Sequence, residues 1–154
     1  MSTLFYYEDF TVDESWHSIG EFSSTKDQII DFASLYDPQP MHLDEAAGKA
    51  SMLGGLASSG WQTGALLIKQ MVEQLLTNTV NYGSPGVKEA HWLAPVFPDD
   101  CLSVRYKVLS KRVSNSKPHM GIIDFFIEAT NQDDIKVMTM VSTQFIGLKT
   151  GGQT

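Results

Sequence analysis

A single cysteine, Cys101, leaves no partner for an internal disulfide, and no C-x-x-C pair or Cys/His cluster offers a metal cage. Positive charge is scarce: 11 Lys and Arg stand against 18 Asp and Glu, a formal net charge of −7. That excludes nucleic acid as a general partner, because neutralising phosphates needs a basic face. Long apolar runs are missing too. No stretch approaches the roughly 20 residues that cross a bilayer, so no membrane partner is expected. The opening MSTLFYYEDF is acidic where a signal peptide would carry basic charge and an apolar run, which makes the cytoplasm the expected compartment. Internal repeats and low-complexity segments are absent.

What is present is a chain of 154 residues, 42% hydrophobic and 19% charged, which fits one globular domain over 1–154. Residues 15–22 mix aromatic and β-branched types and predict a short strand. Thr25 followed by Gln28 is a capping-box pattern, and Ile29, Phe32, Ala33 and Tyr36 recur at helical spacing behind it. That helix must stop near Asp37, because a residue before proline avoids the α region. Asp44 reads as the N-cap of a short helix through Ala50. After Gly60 comes the most apolar helix. Trp61, Ala65, Ile68, Val72 and Leu75 form its main stripe, Leu67 and Met71 broaden it, and Gln70 falls on the polar face. So apolar a helix is expected to be wrapped by other elements.

The second half reads as strands over 87–93, 102–113, 121–131 and 135–148, divided by turn-forming stretches. Short connections make the last three antiparallel. The expectation is an α+β domain, a curved sheet around the Trp61–Leu76 helix. Arg105, Lys107 and Lys111 share strand parity, as a solvated sheet face would. The 135–148 segment is apolar on both parities, which predicts at least a homodimer to cover its second face. The last residues, 150–154, read as a frayed tail.

The stretch YDPQPMHLD, residues 36–44, sets Asp37 and His42 five residues apart with Pro38 and Pro40 stiffening the link. One reading is a turn that ends one helix and starts the next, with His42 bonded to a backbone carbonyl. The other is an acid/base pair held for proton transfer, since a histidine titrates near working pH. Gly60 is likewise either a tight turn or a helix-opening backbone donor, and Ser58 or Ser59 an ordinary N-cap. His17, His91 and His119 have no motif around them.

The blocks YDPQPMHLDEAA at 36–47, LGGLASSGWQT at 53–63 and GSPGVKEAHWLAPVFPDD at 83–100 resemble the MaoC-like acyl dehydratases, relatives of the (R)-specific enoyl-CoA hydratases. The resemblance covers nearly the whole chain and implies the hotdog fold. It implies Asp37 and His42 as the hydration pair and Gly60 as the N–H donor to the thioester carbonyl. Gln39, Ser59 and Trp61 are implied as substrate-binding, and no metal or organic cofactor is required. Two residues depart from the family pattern: Gln39 stands where Asn is usual, and Ser59 where His is usual. The implied activity is reversible hydration of a 2-enoyl thioester, on acyl-CoA or another acyl carrier. A hotdog thioesterase and a silent acyl-thioester-binding module are the alternatives. The thioesterase is disfavoured because Glu73 is the only acid inside the central helix.

Overall fold

The computed structural model describes residues 3–149, so the tail expected over 150–154 lies outside the described residues. The elements run β1 (His17–Phe22), α1 (Lys26–Tyr36), α2 (Pro40–Leu43), α3 (Glu45–Ala50), α4 (Gly60–Gln74), β2 (Asn81–Trp92), β3 (Leu102–Val113), β4 (Met120–Thr130) and β5 (Lys136–Gly147). The five strands form one antiparallel sheet in the order β1-β3-β4-β5-β2. α4 packs on its inner face. This is the hotdog architecture.

The local signals act as expected. Thr25 accepts from the Gln28 N–H at 3.2 Å while the Gln28 side chain accepts from the Thr25 N–H at 2.9 Å, closing the capping box. Asp44 accepts from the Ala47 N–H at 2.8 Å and starts α3. In β3, Leu102, Val104, Tyr106 and Val108 alternate inward over the core while Ser103 and Arg105 face out. Leu67 and Met71 of α4 are fully buried with Phe125, Ile127 and Met138 of the sheet. Each such side chain contributes roughly 1.5–3 kcal/mol of burial.

Four expectations are corrected. The side of α4 that enters the core carries Thr63, Gly64, Leu67, Gln70 and Met71, and Gln70 is 9% exposed. The stripe expected to be wrapped faces outward at Trp61, Ala65 and Val72, because the sheet covers only one side of the helix. Next, β2 begins at Asn81, six residues earlier than its β-branched signal. Positive φ at Gly83 and Gly86, on either side of Pro85, lets the strand follow β5 through register shifts.

Third, the parity of Arg105, Lys107 and Lys111 is broken by a register shift between Val108 and Ser110. Lys111 Nζ therefore turns inward to the carbonyls of Phe10, at 2.6 Å, and Tyr7, at 3.1 Å. Arg105 and Lys107 do lie on the outer face, where they pair with Glu128 and Glu14. Last, the outer face of β5 is not left wet. Val141 and Thr143 are buried within the single chain, so that reason for a dimer does not hold. No helix among the described residues is long and apolar enough to cross a membrane.

Candidate active site

Three chain segments meet at the start of α4. Pro38 ends α1, leaving Asp37 as its C-cap with its N–H on the Ala33 carbonyl at 2.9 Å. Pro40 then occupies the first position of α2, where its missing N–H is no loss. This single turn carries His42 inward, 5% exposed. The segment 56–59 is strung between neighbours: the Ala57 N–H donates to the Met41 carbonyl at 3.3 Å and the Ser58 N–H to the Val96 carbonyl at 2.8 Å. That holds the N-terminus of α4 beside the Asp37–His42 turn.

His42 Nδ1 lies 2.6 Å from the Ala57 carbonyl oxygen. A carbonyl can only accept, so Nδ1 carries the proton and the neutral ring presents a lone pair at Nε2. Nε2 faces Asp37 Oδ2 at 3.5 Å. That spacing is long for a direct hydrogen bond but suits one water held by both groups. Both readings of His42 thus meet in one residue. Its Nδ1 is a satisfied structural contact, and that contact is what fixes the free nitrogen.

Asp37 is held from two sides. Ser59 Oγ donates to Oδ2 at 2.7 Å, and Gln39 Nε2 donates to Oδ1 at 2.7 Å. The Ser59 hydroxyl, then the Gln39 amide, hold the carboxyl below its usual range against the opposing effect of burial, with His42 adding to them when its ring is protonated. Asp37 is therefore ionised at neutral pH. Ser59 is fully buried and its hydroxyl also accepts from the Trp61 N–H at 3.2 Å, capping α4. One side chain so joins the carboxylate to the positive end of the helix.

These groups border a cavity of about 440 Å³ lined by Asp37, Gln39, His42, Gly60 and Trp61 among mainly apolar neighbours. At the α4 N-terminus the N–H groups of Trp61, Gln62 and Thr63 all turn to Ser59. The Gly60 N–H has no partner among the described residues. A free donor, a lone pair at Nε2 and an ionised carboxylate around a small apolar cavity can bind a polarised carbonyl and move a proton beside it.

Of the six residues singled out from the sequence, five line the cavity and the sixth, Ser59, binds Asp37 from behind. The sequence did not reveal Ala57, whose carbonyl sets the tautomer, or Trp92. Trp92 Nε1 donates to the Gly60 carbonyl at 2.7 Å, and its ring meets Trp61 edge-on at 5.1 Å. A Cβ built on Gly60 would lie 2.5 Å from that indole nitrogen, so glycine is required there for a close approach. Neither contact has a spacing signature, since the partners lie 15 and 32 residues apart.

The chain matches the MaoC-like domain model over residues 9–124. It is 28% identical over 130 residues to the uncharacterized protein YdeM of Bacillus subtilis, covering 84% of this chain and 90% of that one. The crystal structure of the MaoC-like dehydratase from Rhodospirillum rubrum is 30% identical, with a TM-score of 0.83 over 94% of this chain and 98% of the other. The R-hydratase PhaJ1 from Pseudomonas aeruginosa shares the fold at 19% identity, with a TM-score of 0.72 over 94% of this chain and 86% of that one. With its five-stranded sheet wrapped on one helix, the chain belongs to the hotdog-fold family of MaoC-like dehydratases.

Proposed function

We propose that the protein is an acyl-thioester hydro-lyase, adding water reversibly across the double bond of a 2-enoyl thioester such as an acyl-CoA. The observation that carries this reading is the His42 Nε2 lone pair facing the Asp37 carboxylate at 3.5 Å on the wall of an apolar cavity. A water between them gives its proton to Nε2 while its oxygen bonds to the β-carbon. The π pair moves to the α-carbon and the thioester, whose oxygen takes the developing charge. The Gly60 N–H, with the positive end of α4 behind it, receives that oxygen. The imidazolium formed beside Asp37 then returns the proton to the α-carbon. Asp37 stays ionised throughout, orienting the water and stabilising the charged ring. Gln39 and Ser59 are read as the residues that aim Asp37, and Trp61 as a wall against the acyl group.

A thioesterase reading lacks its carboxylate. Glu73 is on the solvent side of α4, paired with Lys69 at 3.7 Å and outside the cavity. A silent binding module would not need Asp37 held ionised by two donors. The second copy of the chain is proposed to dock along β2, the exposed edge of the sheet.

The test is the loss of conjugated thioester absorbance with crotonyl-CoA. Asp37→Asn and His42→Ala should each lower hydration by about 10²–10⁴-fold while circular dichroism stays unchanged. If both act on one water, the double variant loses little more than the worse single. Near-wild-type turnover in either single variant sinks the assignment.

A further inference from the structure

We propose that Trp92 sets the length of the acyl chain that the site accepts: its indole is the partition between the Asp37–His42 cavity and a second, apolar groove along α4. The inference rests on the hydration reading and names its substrates as short-chain 2-enoyl thioesters.

Trp92 lines both spaces, as does Trp61 at the start of α4. The second, of about 530 Å³, runs between α4 and the sheet edge, with Gly64, Ala65 and Ile68 on the helix side and Ala90, Met138 and Met140 on the strand side. Only Lys88 and Glu89 add charge to its walls. Such a lining suits methylene groups and gives the phosphates of a carrier little to bind. A Cβ on Gly64 would come 3.3 Å from the Met138 terminal methyl, so the groove reaches the helix backbone. The two methionines give it an adaptable floor. What stands between this groove and the reacting groups is a pair of indole side chains, Trp92 and the Trp61 ring it meets edge-on, and Trp92 is the one that reaches across from the strand. The indole is tied by one hydrogen bond to Gly60, leans on Trp61, and is 44% exposed. An acyl tail starting beside Gly60 meets that ring before it can reach the groove. A second copy docked on β2 would roof the groove from its rim; one that filled it would leave no room for a tail.

The experiment compares kcat/KM for crotonyl-CoA and trans-2-dodecenoyl-CoA in the wild type, Trp92→Ala and Trp92→Phe. The wild type should prefer crotonyl-CoA. Trp92→Ala should raise the dodecenoyl-to-crotonyl ratio about tenfold or more, since two newly buried methylenes suffice for that. Trp92→Phe, which keeps a ring without the N–H, should leave the ratio near that of the wild type. A wild type that turns over dodecenoyl-CoA as well as crotonyl-CoA overturns the partition, whether or not Trp92→Ala folds. So does a Trp92→Ala enzyme that is active on crotonyl-CoA with no change in ratio, the result expected if a second copy fills the groove. Titration with saturated butanoyl- and dodecanoyl-CoA separates this inference from the hydration reading. Dodecanoyl-CoA binding gained in Trp92→Ala without hydration in any variant sinks the reaction but leaves the partition standing.

Discussion

Asp37 works as a carboxylate only while it stays ionised, and the Ser59 hydroxyl is the first cause of its lowered pKa. Ser59→Ala removes that donor, so the Asp37 pKa rises toward its ordinary value. The readout is the Asp37 carboxyl itself, whose titration followed by NMR should move to higher pH in Ser59→Ala. The stability linkage has the same sign. A depressed carboxylate pKa gives stability that is present above the unfolded value and lost as pH falls through the folded value. Ser59→Ala should narrow that acid-sensitive window, and removal of the α4 cap should cost about 0.5–2 kcal/mol at all pH values. An Asp37 carboxyl that titrates at the same pH in a folded Ser59→Ala protein would show that the Ser59 hydroxyl is not what holds it ionised. The Asp37–His42 pair was legible in the sequence because five residues and two prolines carry it locally. Ser59 reads from its neighbours as a cap and from the resemblance as a substrate-binding residue; its bond to Asp37 was not legible, because that partner is 22 positions away in the chain.

At the scale of elements, α4 and β2 are joined at one point, where the Trp92 indole lies against the Gly60 backbone. Gly60 is helical with no positive φ, so alanine fits the backbone and only the indole opposes it. Gly60→Ala should therefore cost about 1–3 kcal/mol by overpacking, read from urea midpoints. In a Trp92→Ala background that penalty should vanish, a coupling that a double-mutant cycle isolates. Equal costs in both backgrounds would mean that the contact is not what demands glycine. The N–H of Gly60 is a separate matter: an amide-to-ester replacement there should lower turnover by about 10²–10³-fold with little change in binding. Element by element, caps and alternation fixed α1, α3, β3, β4 and β5 to within a residue or two of their ends. The helix face was misjudged because α4 is apolar nearly all round, and hydrophobicity alone cannot choose which side meets the sheet. The start of β2 was missed because Gly83, Pro85 and Gly86 are turn residues that here form bulges.

At the scale of the molecule, the sheet ends unequally. β1 is a six-residue edge, whereas β2 is a twelve-residue edge exposed from Tyr82 to Glu89. An exposed edge of that length is a template for pairing unless it is blunted. The irregularities around Gly83 and Gly86 blunt its first half and a further register shift falls between Val87 and Glu89, but from Glu89 to Trp92 the pairing with β5 is regular. Beside that second half lies the outward stripe of α4: Trp61 is 66% exposed, and Val87 and Trp92 are 49% and 44% exposed on the strand. Helix and edge border one groove, so the apolar surface is continuous, the kind of patch that marks an interface. A second copy pairing β2 with β2 would satisfy the edge and cover this patch together, which neither a longer loop nor a single substitution does. The protein should therefore sediment as a homodimer at micromolar concentration. Val87→Lys puts a charge into the pairing edge and the patch at once, and it should shift the species toward monomer without loss of secondary structure. A wild type that sediments as a monomer at that concentration overturns the dimer, and an unaffected Val87→Lys dimer moves its interface away from β2.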